Sequence, residues 1–424
     1  MAEMKDSDIR WIGQIPKNWK VIRVKDAFTR KKAKAKQENP VILSLARSGV
    51  KVRDITNNEG QLAENYSDYN PVMVDDLLLN PMDLISGDNC NISRVEGVIS
   101  PAYVNLRYKN GINPEFYNFY FKYQYWCKAF FAYGKGVSFE NRWTLNYDTL
   151  ERFPLILPPI EEQNRIVKFL KGKCAEIDAL HTDIEKQIET LEEYKKSIIT
   201  EAVTKGLDPD VEMEDSGIEW IGMIPKEWEC KKIKYVTNLS RGIFGHRPRN
   251  DPRYYDGKYP FIQTGDVACA TKVITNYSQT LNELGKKVSK EFKKGTIALT
   301  IAANVGDVSI LGFNAYFPDS IMAIIPHKEI DNMYFYYILS IMKSEFLRVA
   351  IINTQLNLNV ERVGNLYIPI TFDKNKQKEI VKYLDEKCAE IDGAIEEKKE
   401  QLDTLEQYKK SLIYEYVTGK KEVK

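Results

Sequence analysis

A long helical pattern occurs twice in this chain, and the duplication constrains everything else the chain can fold into. The first copy, EEQNRIVKFLKGKCAEIDALHTDIEKQIETLEEYKKSIITEAVTKG, runs from Glu161 to Gly206, and the second starts at about Asn375 and reaches the C-terminus. Ile166, Cys174, Ile177, Leu191 and Tyr194 recur 214 positions later as Ile380, Cys388, Ile391, Leu405 and Tyr408. In the first copy apolar residues fall at every seventh place, at Leu170, Ile177, Ile184, Leu191 and Ile198, which is the seam of a coiled coil. A second row holds Cys174, His181 and Ile188; the later copy offers Ile391, Lys398, Leu405 and Leu412 beside Cys388, Ile395 and Leu402. One helix cannot bury a narrow seam alone, so the two copies are expected to pack on each other. Ile177, Ile184, Leu191, Ile198, Ile391, Ile395, Leu402, Leu405 and Leu412 are then the packing and docking residues. Two separate coiled coils, each recruiting its own partner, would also bury the seams. At ~1.5 Å per residue a helix of ~40 residues is ~60 Å long, a ruler between two domains.

A second repeated element opens each half: SDIRWIGQIPKNW at 7–19 and SGIEWIGMIPKEW at 216–228. Trp11, Ile12, Gly13, Ile15, Pro16 and Trp19 recur 209 positions on as Trp220, Ile221, Gly222, Ile224, Pro225 and Trp228. A repeated Trp of this kind is packing material, so the element reads as a clasp that seats a domain on the helices. Between clasp and helix each half holds a mixed segment. Short β-type runs (Val41 to Leu45, Leu77 to Leu79, Tyr103 to Leu106; then Tyr259 to Gln263, Thr296 to Ile301, Ile321 to Ile325) alternate with Gly, Pro and Asn, and a helix follows in each. The aromatic stretch FYNFYFKYQYWCKAFFAY at 116–133 could stack on bases. Its counterpart MYFYYILSIMKSEFL at 333–347 mixes in aliphatics, which suits a buried helix better. The fold expected is mixed α/β: two similar globular domains separated by two long antiparallel coiled-coil helices, as a pseudo-two-fold internal repeat. The segments are 1–158 and 208–368 for the domains, 159–207 and 369–424 for the helices.

Composition narrows the class. With 424 residues, 43% of them hydrophobic, the chain suits two to three folded domains. The six cysteines are scattered without a CxxC pair and only three histidines occur, so neither a zinc site nor a disulfide framework is expected, and a reducing, cytoplasmic setting fits. The N-terminus MAEMKDSDIRWIG lacks the apolar core of a signal peptide, and no run of 18 uncharged apolar residues appears.

Lys plus Arg (61) and Asp plus Glu (60) nearly cancel, yet the charge is unevenly placed. The first half has a basic run of Lys20, Arg23, Lys25, Arg30, Lys31, Lys32, Lys34 and Lys36 against Asp26; at the corresponding place the second has LSRGIFGHRPRNDPRYYDGKYPF, with Arg241, His246, Arg247, Arg249, Arg253 and Lys258. Lysines in a row suit phosphates, which position a protein, whereas an arginine can fork onto guanine O6 and N7 and so specify sequence. A solvated face would carry the same charges, but two basic segments at matching places favour nucleic acid. The acidic link LDPDVEMEDSGIEWIG would be repelled by phosphates and is expected away from them. Each domain closes with an aligned pair, ENRWTLNYDTLERFPLILPP at 140–159 and NTQLNLNVERVGNLYIPIT at 353–371, which sets Arg142 opposite Gln355 and Thr144 opposite Asn357. Arg favours G, and Gln or Asn favours A.

Catalytic signatures are missing. There is no Gly-x-x-x-x-Gly-Lys-Ser/Thr phosphate loop, no Asn-Pro-Pro-aromatic tetrad for a flipped base, and no nucleotide fingerprint after a strand. A nuclease-like pattern from Pro209, Asp210, Glu229 and Lys231 straddles linker and clasp with no counterpart in the first half, and the histidines have no triad partner.

With its duplicated WIGxIPxxW clasps, the Pro-Pro-Ile-x-x-Gln lead into the first helix, the LEEYKKSII and LEQYKKSLI segments and two divergent domains, the chain resembles the specificity subunit of a Type I restriction-modification system. It departs at the second helix, where Thr371-Phe372-Asp373-Lys374 replaces Pro159-Ile160-Glu161-Glu162. The resemblance implies a non-catalytic subunit in which each domain recognises one half of a bipartite double-stranded DNA target. The helices would dock two methyltransferase subunits, with two restriction/translocase subunits completing the complex. S-adenosylmethionine, ATP and Mg would be held by those partners and none by this chain. On this reading Arg47, Lys51, Arg53 and Arg142 in the first domain, with Arg241, Arg247, Arg249, Thr264, Asn304, Gln355 and Asn357 in the second, face DNA. The alternative is a two-lobed adaptor scaffold that does not bind DNA.

Overall fold

The computed structural model describes residues 3–36, 40–46, 48–54, 66–84, 89–136, 143–352 and 356–423. The chain divides into two compact units, Met1–Glu185 with Lys399–Lys424, and Lys186–Lys398. Each is mixed α/β and repeats the same parts: a clasp, a sheet, a helix packed on that sheet, and a stretch of both long helices.

The clasp is a two-stranded ladder closed by a buried tryptophan. Met4–Asp6 pairs antiparallel with Gln14–Pro16 in the first unit, and Met213–Asp215 with Met223–Pro225 in the second. Met213–Asp215 falls within the acidic link of the sequence reading, and it is a strand nonetheless. Ladder hydrogen bonds come from the backbone and tolerate carboxylates that point outward. Gly13 and Gly222 turn the chain at φ of +68° and +67°, a conformation that favours glycine. Ile12, Ile15 and Trp19 are buried, as are Ile221, Ile224 and Trp228. Trp19 stands edge-on to Phe116 with ring centres 6.4 Å apart, and Trp228 meets Tyr334 at 6.5 Å in the same way. The repeated tryptophans therefore pack against the domain helix.

The two domains share one sheet order. In the first it is Phe28–Arg30, Val104–Tyr108, Leu77–Leu79, Cys90–Ile92, antiparallel throughout. In the second it is Thr237–Arg241, Ile321–Pro326, Ile297–Thr300, Val308–Leu311, with Val273–Ile274 added in parallel at the edge. The aromatic stretch forms a helix, Pro114–Trp126, capped by Asn113, whose side chain accepts from the Glu115 amide at 2.9 Å. Phe116, Tyr117, Tyr120, Phe121 and Tyr125 are buried in the core, and the Tyr117 and Tyr125 hydroxyls donate to Ile156 O and Asn80 O at 2.9 and 2.7 Å. The stretch is core, as its aliphatic counterpart implied; Asn332–Ser340 fills that place in the second domain.

Beneath the first sheet lies a polar knot. The Asp76 side chain is 1% exposed; it accepts from the Met73 amide at 2.8 Å and Asn105 Nδ2 at 3.2 Å, and lies 2.6 Å from Arg107 Nε. Burial pushes its carboxyl pKa up, opposed by these donors and the Arg107 charge. Asp76→Ala takes the carboxylate from Arg107 and from the Met73 amide, leaving Arg107 with Val74 O at 3.2 Å and Asn105 Nδ2 with Pro71 O at 2.9 Å. An unfolding loss of about 3 kcal/mol is expected, read by urea denaturation, and a loss below about 1 kcal/mol would show the knot to be expendable.

The long helices are Ile160–Lys205 and Lys374–Val417. Asp373 caps the second, its carboxylate accepting from the Asn375 amide at 2.8 Å, so the altered lead-in still starts a helix one residue before the expected place. Within the first unit the two helices run antiparallel: the Phe169 ring lies 4.5 Å from that of Tyr416, and Lys409 Nζ is 2.5 Å from Asp178. Within the second, Lys195 is 2.6 Å from Asp392. Asp178 and Asp392 are equivalent, as are Lys195 and Lys409, so the two copies use one contact reciprocally. Of the expected seam, Ile177, Ile198, Ile391, Ile395 and Leu412 are buried, whereas Ile184, Leu191, Leu402 and Leu405 are half-buried. A pair of helices covers only one side of each residue where no domain packs on it.

A buried glutamine joins each domain to its helix. Gln163 Nε2 donates to Pro158 O at 2.8 Å and Gly111 O at 3.2 Å, while its Oε1 accepts from the Asn113 amide at 2.8 Å. Gln377 repeats this with Thr371 O, Glu329 O and the Asp331 amide at 2.7, 3.2 and 2.6 Å. Both are fully buried. No described helix is long and apolar enough to cross a membrane.

Candidate nucleic-acid interface

In the second domain the sheet register gathers four segments at one end. Arg241 pairs with Met322, and Ile321 with Thr300, so the end of one strand, the start of the next and the turn after Thr300 lie side by side. That turn, which carries exposed Asn304, is pinned by Thr300: its amide donates to Asp307 O, its hydroxyl accepts from the Asp307 amide, and its carbonyl accepts from the Gly306 amide, all at 2.9 Å. Ala302 then bridges to Asn357, and Leu358 N donates to Ile301 O at 2.9 Å. Asn357 is thereby paired with the start of the turn that carries Asn304.

The arginines converge on this end through one residue. Arg241 Nε donates to the main-chain carbonyl of Asp319; Arg247 Nη2 reaches the Asp319 carboxylate at 3.3 Å, and Arg249 Nη2 donates to its other oxygen. Arg247 Nη1 also donates to Phe244 O and His246 O at 2.7 and 2.9 Å, which makes it a staple of its own loop. About half of each of the Arg247 and Arg249 side chains remains exposed. Beside them, His246 Nε2 lies 3.0 Å from Asp251 and its ring stacks on Tyr254 at 4.1 Å. The Arg253 side chain holds the Asp251 carboxyl well below the usual range. Thr264, which opens the short helix Thr264–Cys269, stands outside these hydrogen bonds among the described residues.

A set of lysines escaped the sequence reading. Lys286, Lys287 and Lys290 flank the arginine loop because Gly245 N donates to Val288 O at 2.8 Å, Ser289 Oγ to Ile243 O at 2.7 Å, and Lys290 Nζ to Ser240 Oγ at 2.6 Å. Lys286 also sits 4.5 Å over the Tyr259 ring. The density of lysine in ELGKKVSKEFKK was visible; its neighbour in space was not. Such a row supplies charge for phosphates while the arginines supply forked donors.

The first domain builds the equivalent end from other side chains. By the shared register Lys32 takes the place of Arg241, and Leu145 N donates to Pro81 O at 2.8 Å as Leu358 does to Ile301. Arg30 lies 4.5 Å over the Tyr147 ring. Lys51 is exposed on the hairpin Leu43–Ala46/Gly49–Val52, and the Arg53 amide donates to Ile42 O at 2.8 Å. That hairpin joins the strand Cys90–Ile92 through Asn91 Nδ2 and Ala46 O, 2.9 Å apart, so Lys51 and Arg53 sit by the sheet edge farthest from Arg30. Arg47, Arg142 and Gln355 lie outside the described residues. Lys135 and Thr144 bridge in the first domain where Ile351–Ile352 and Leu356–Asn357 pair in the second. Among the described residues no group of three or more His, Cys, Asp or Glu side chains is placed to hold a metal ion.

Comparison with known proteins agrees with this duplicated plan. The chain is 27% identical to the MjaX type I restriction enzyme specificity subunit of Methanocaldococcus jannaschii, over 97% of this chain and 96% of that protein. It is 24% identical to the EcoBI specificity subunit of Escherichia coli, over 81% and 73%. A solved chain described under complex assembly and conformational transition of the type I R-M system shares the fold, with a TM-score of 0.70 at 14% identity over 95% of this chain and 98% of that one. The family described as the Type I restriction modification DNA specificity domain matches residues 16–190 and again 225–407, and the chain belongs to that family.

Proposed function

We propose that this chain is the sequence-reading subunit of a Type I restriction-modification complex, in which each domain reads one half of a bipartite DNA target through the end of its sheet. The observation that carries this reading is that the two domains share one sheet order yet present different side chains at the same end: Lys32 and Thr144 in one, Arg241 and Asn357 in the other. One scaffold with two sets of donors suits two unlike half-sites. The long helices, with Ile177, Ile198, Ile391 and Leu412 in their seam, dock two modification subunits. Those partners bring S-adenosylmethionine and methyl transfer, two restriction/translocase subunits bring ATP, Mg and cleavage, and the assembly works in the cytoplasm. Arg241, Arg247, Arg249, Asn304 and Asn357 face the DNA, with Thr264, Lys51 and Arg53 at its margins, and Arg47, Arg142 and Gln355 complete the DNA-facing set.

Exchange of residues 229–368 for the corresponding segment of another family member tests the reading. Methylation mapping is expected to show one half of the motif replaced and the other retained. A change in both halves contradicts modular reading, and DNA binding insensitive to salt contradicts a phosphate-tracking interface.

A further inference from the structure

We infer that Asp319 is a positioning residue that sets the sequence discrimination of the second domain by fixing its three arginines in one arrangement, at the expense of raw affinity for DNA. The inference rests on the DNA-reading function above. Arg241, Arg247 and Arg249 come from a segment 70 to 78 residues earlier in the chain, and all three donate to Asp319: two to its carboxylate, one to its carbonyl. Left to themselves, three cations beside Lys290 repel one another and sample many rotamers. Asp319 removes both problems: each carboxylate oxygen takes one guanidinium, that of Arg247 or of Arg249, and its main-chain carbonyl takes that of Arg241.

The platform under Asp319 is rigid. Its neighbours are held on both sides of the strand, with Gly242 N donating to Ile321 O at 2.8 Å and Ile301 N to Ser320 O at 2.9 Å. Gly242 packs so tightly here that a Cβ would fall 2.2 Å from Pro318 O, so the approach demands glycine. The Asp319 side chain is one-quarter exposed, whereas those of Arg247 and Arg249 are about half exposed, so the guanidiniums reach outward from the carboxylate that holds them. A carboxylate at this place opposes phosphate, so its contribution to binding lies in geometry. Free arginines would bind any duplex more tightly and discriminate less, since charge draws phosphates indifferently while forked donors must be aimed to read a base.

The test uses the full chain assembled with its restriction-modification partners. The probes are a duplex carrying the motif that the complex methylates in cells and two duplexes with one or the other half-site scrambled. With Asp319→Asn, affinity for the duplex scrambled in the half-site read by the second domain is expected to rise about fivefold, from removal of one negative charge near the phosphates. Discrimination at the half-site read by the second domain is expected to fall about tenfold, while discrimination at the other half-site holds. Asp319→Glu, which keeps the charge and both oxygens, is expected to retain most of the lost discrimination. Unchanged discrimination in Asp319→Asn overturns the inference, as does equal loss at both half-sites, which would mark general damage to the fold. A wild-type complex that prefers no duplex overturns the DNA-reading function itself, an outcome separable from the other two.

Discussion

Gln163→Leu is expected to destabilise the unit that contains it by about 3 kcal/mol, because three backbone groups lose their partner at once. The Asn113 amide, Pro158 carbonyl and Gly111 carbonyl all meet this one side chain, which is fully buried. Leucine has nearly the same volume, so the change isolates lost hydrogen bonds from lost packing. Water has no access to replace them, and an unmet buried donor or acceptor costs about 1–3 kcal/mol each, only part of which relaxation recovers. For a unit of this size the shift in Tm is about 6–12 °C, read by calorimetry. Hydrogen exchange at the Asn113 amide should accelerate in parallel. Gln377→Leu is expected to do the same in the second unit through Thr371, Glu329 and Asp331. A Tm within about 2 °C of wild type for either variant would falsify the idea that these glutamines latch domain to helix.

Replacing Arg241, Arg247 and Arg249 together by alanine is expected to lower DNA affinity of the assembled complex about 100- to 1,000-fold at low salt and to flatten the slope of log K against log salt by about two to three. The three side chains converge on Asp319 and leave an uncompensated surplus of positive charge at the sheet end, reinforced by Lys290. The single variants should differ. Arg247 also donates to Phe244 O and His246 O, so its loss loosens the loop as well as removing charge. Arg249 makes no such main-chain staple among the described residues, so Arg249→Ala should reduce affinity with less effect on stability. Equilibrium titrations at several salt concentrations check this, and a slope unchanged in the triple variant would place the phosphates elsewhere.

Much of the architecture was legible in the sequence because its signals are short and local. The heptad seam, the spacing of Ile, Gly, Pro and Trp in the clasps, and the mix of aromatic with aliphatic residues in the paired domain helices each depend on residues within a few turns of one another. Burial of Trp19, Trp228, Phe116 and Tyr334 follows directly. The candidate interface was legible only in part. The arginine loop was visible as composition, but the lysines at 286, 287 and 290 became its neighbours only through the pairing of Gly245 with Val288. The strand Met213–Asp215 was masked by its charge, since a side-chain pattern says little about a ladder made by the backbone.

The sequence by itself determined that the chain is a duplication, that each copy ends in a long seam-bearing helix, and that its two domains carry unlike polar ends. Periodicity and spacing suffice for this, because they act along the chain. Only the tertiary structure decided that Gln163 and Gln377 bind the domains to their helices, that Asp178 answers Lys409 as Asp392 answers Lys195, and that Asp319 collects three arginines. Those contacts join residues tens to hundreds of positions apart. Their partners are fixed by strand register and helix direction, which come into being only when distant segments pack.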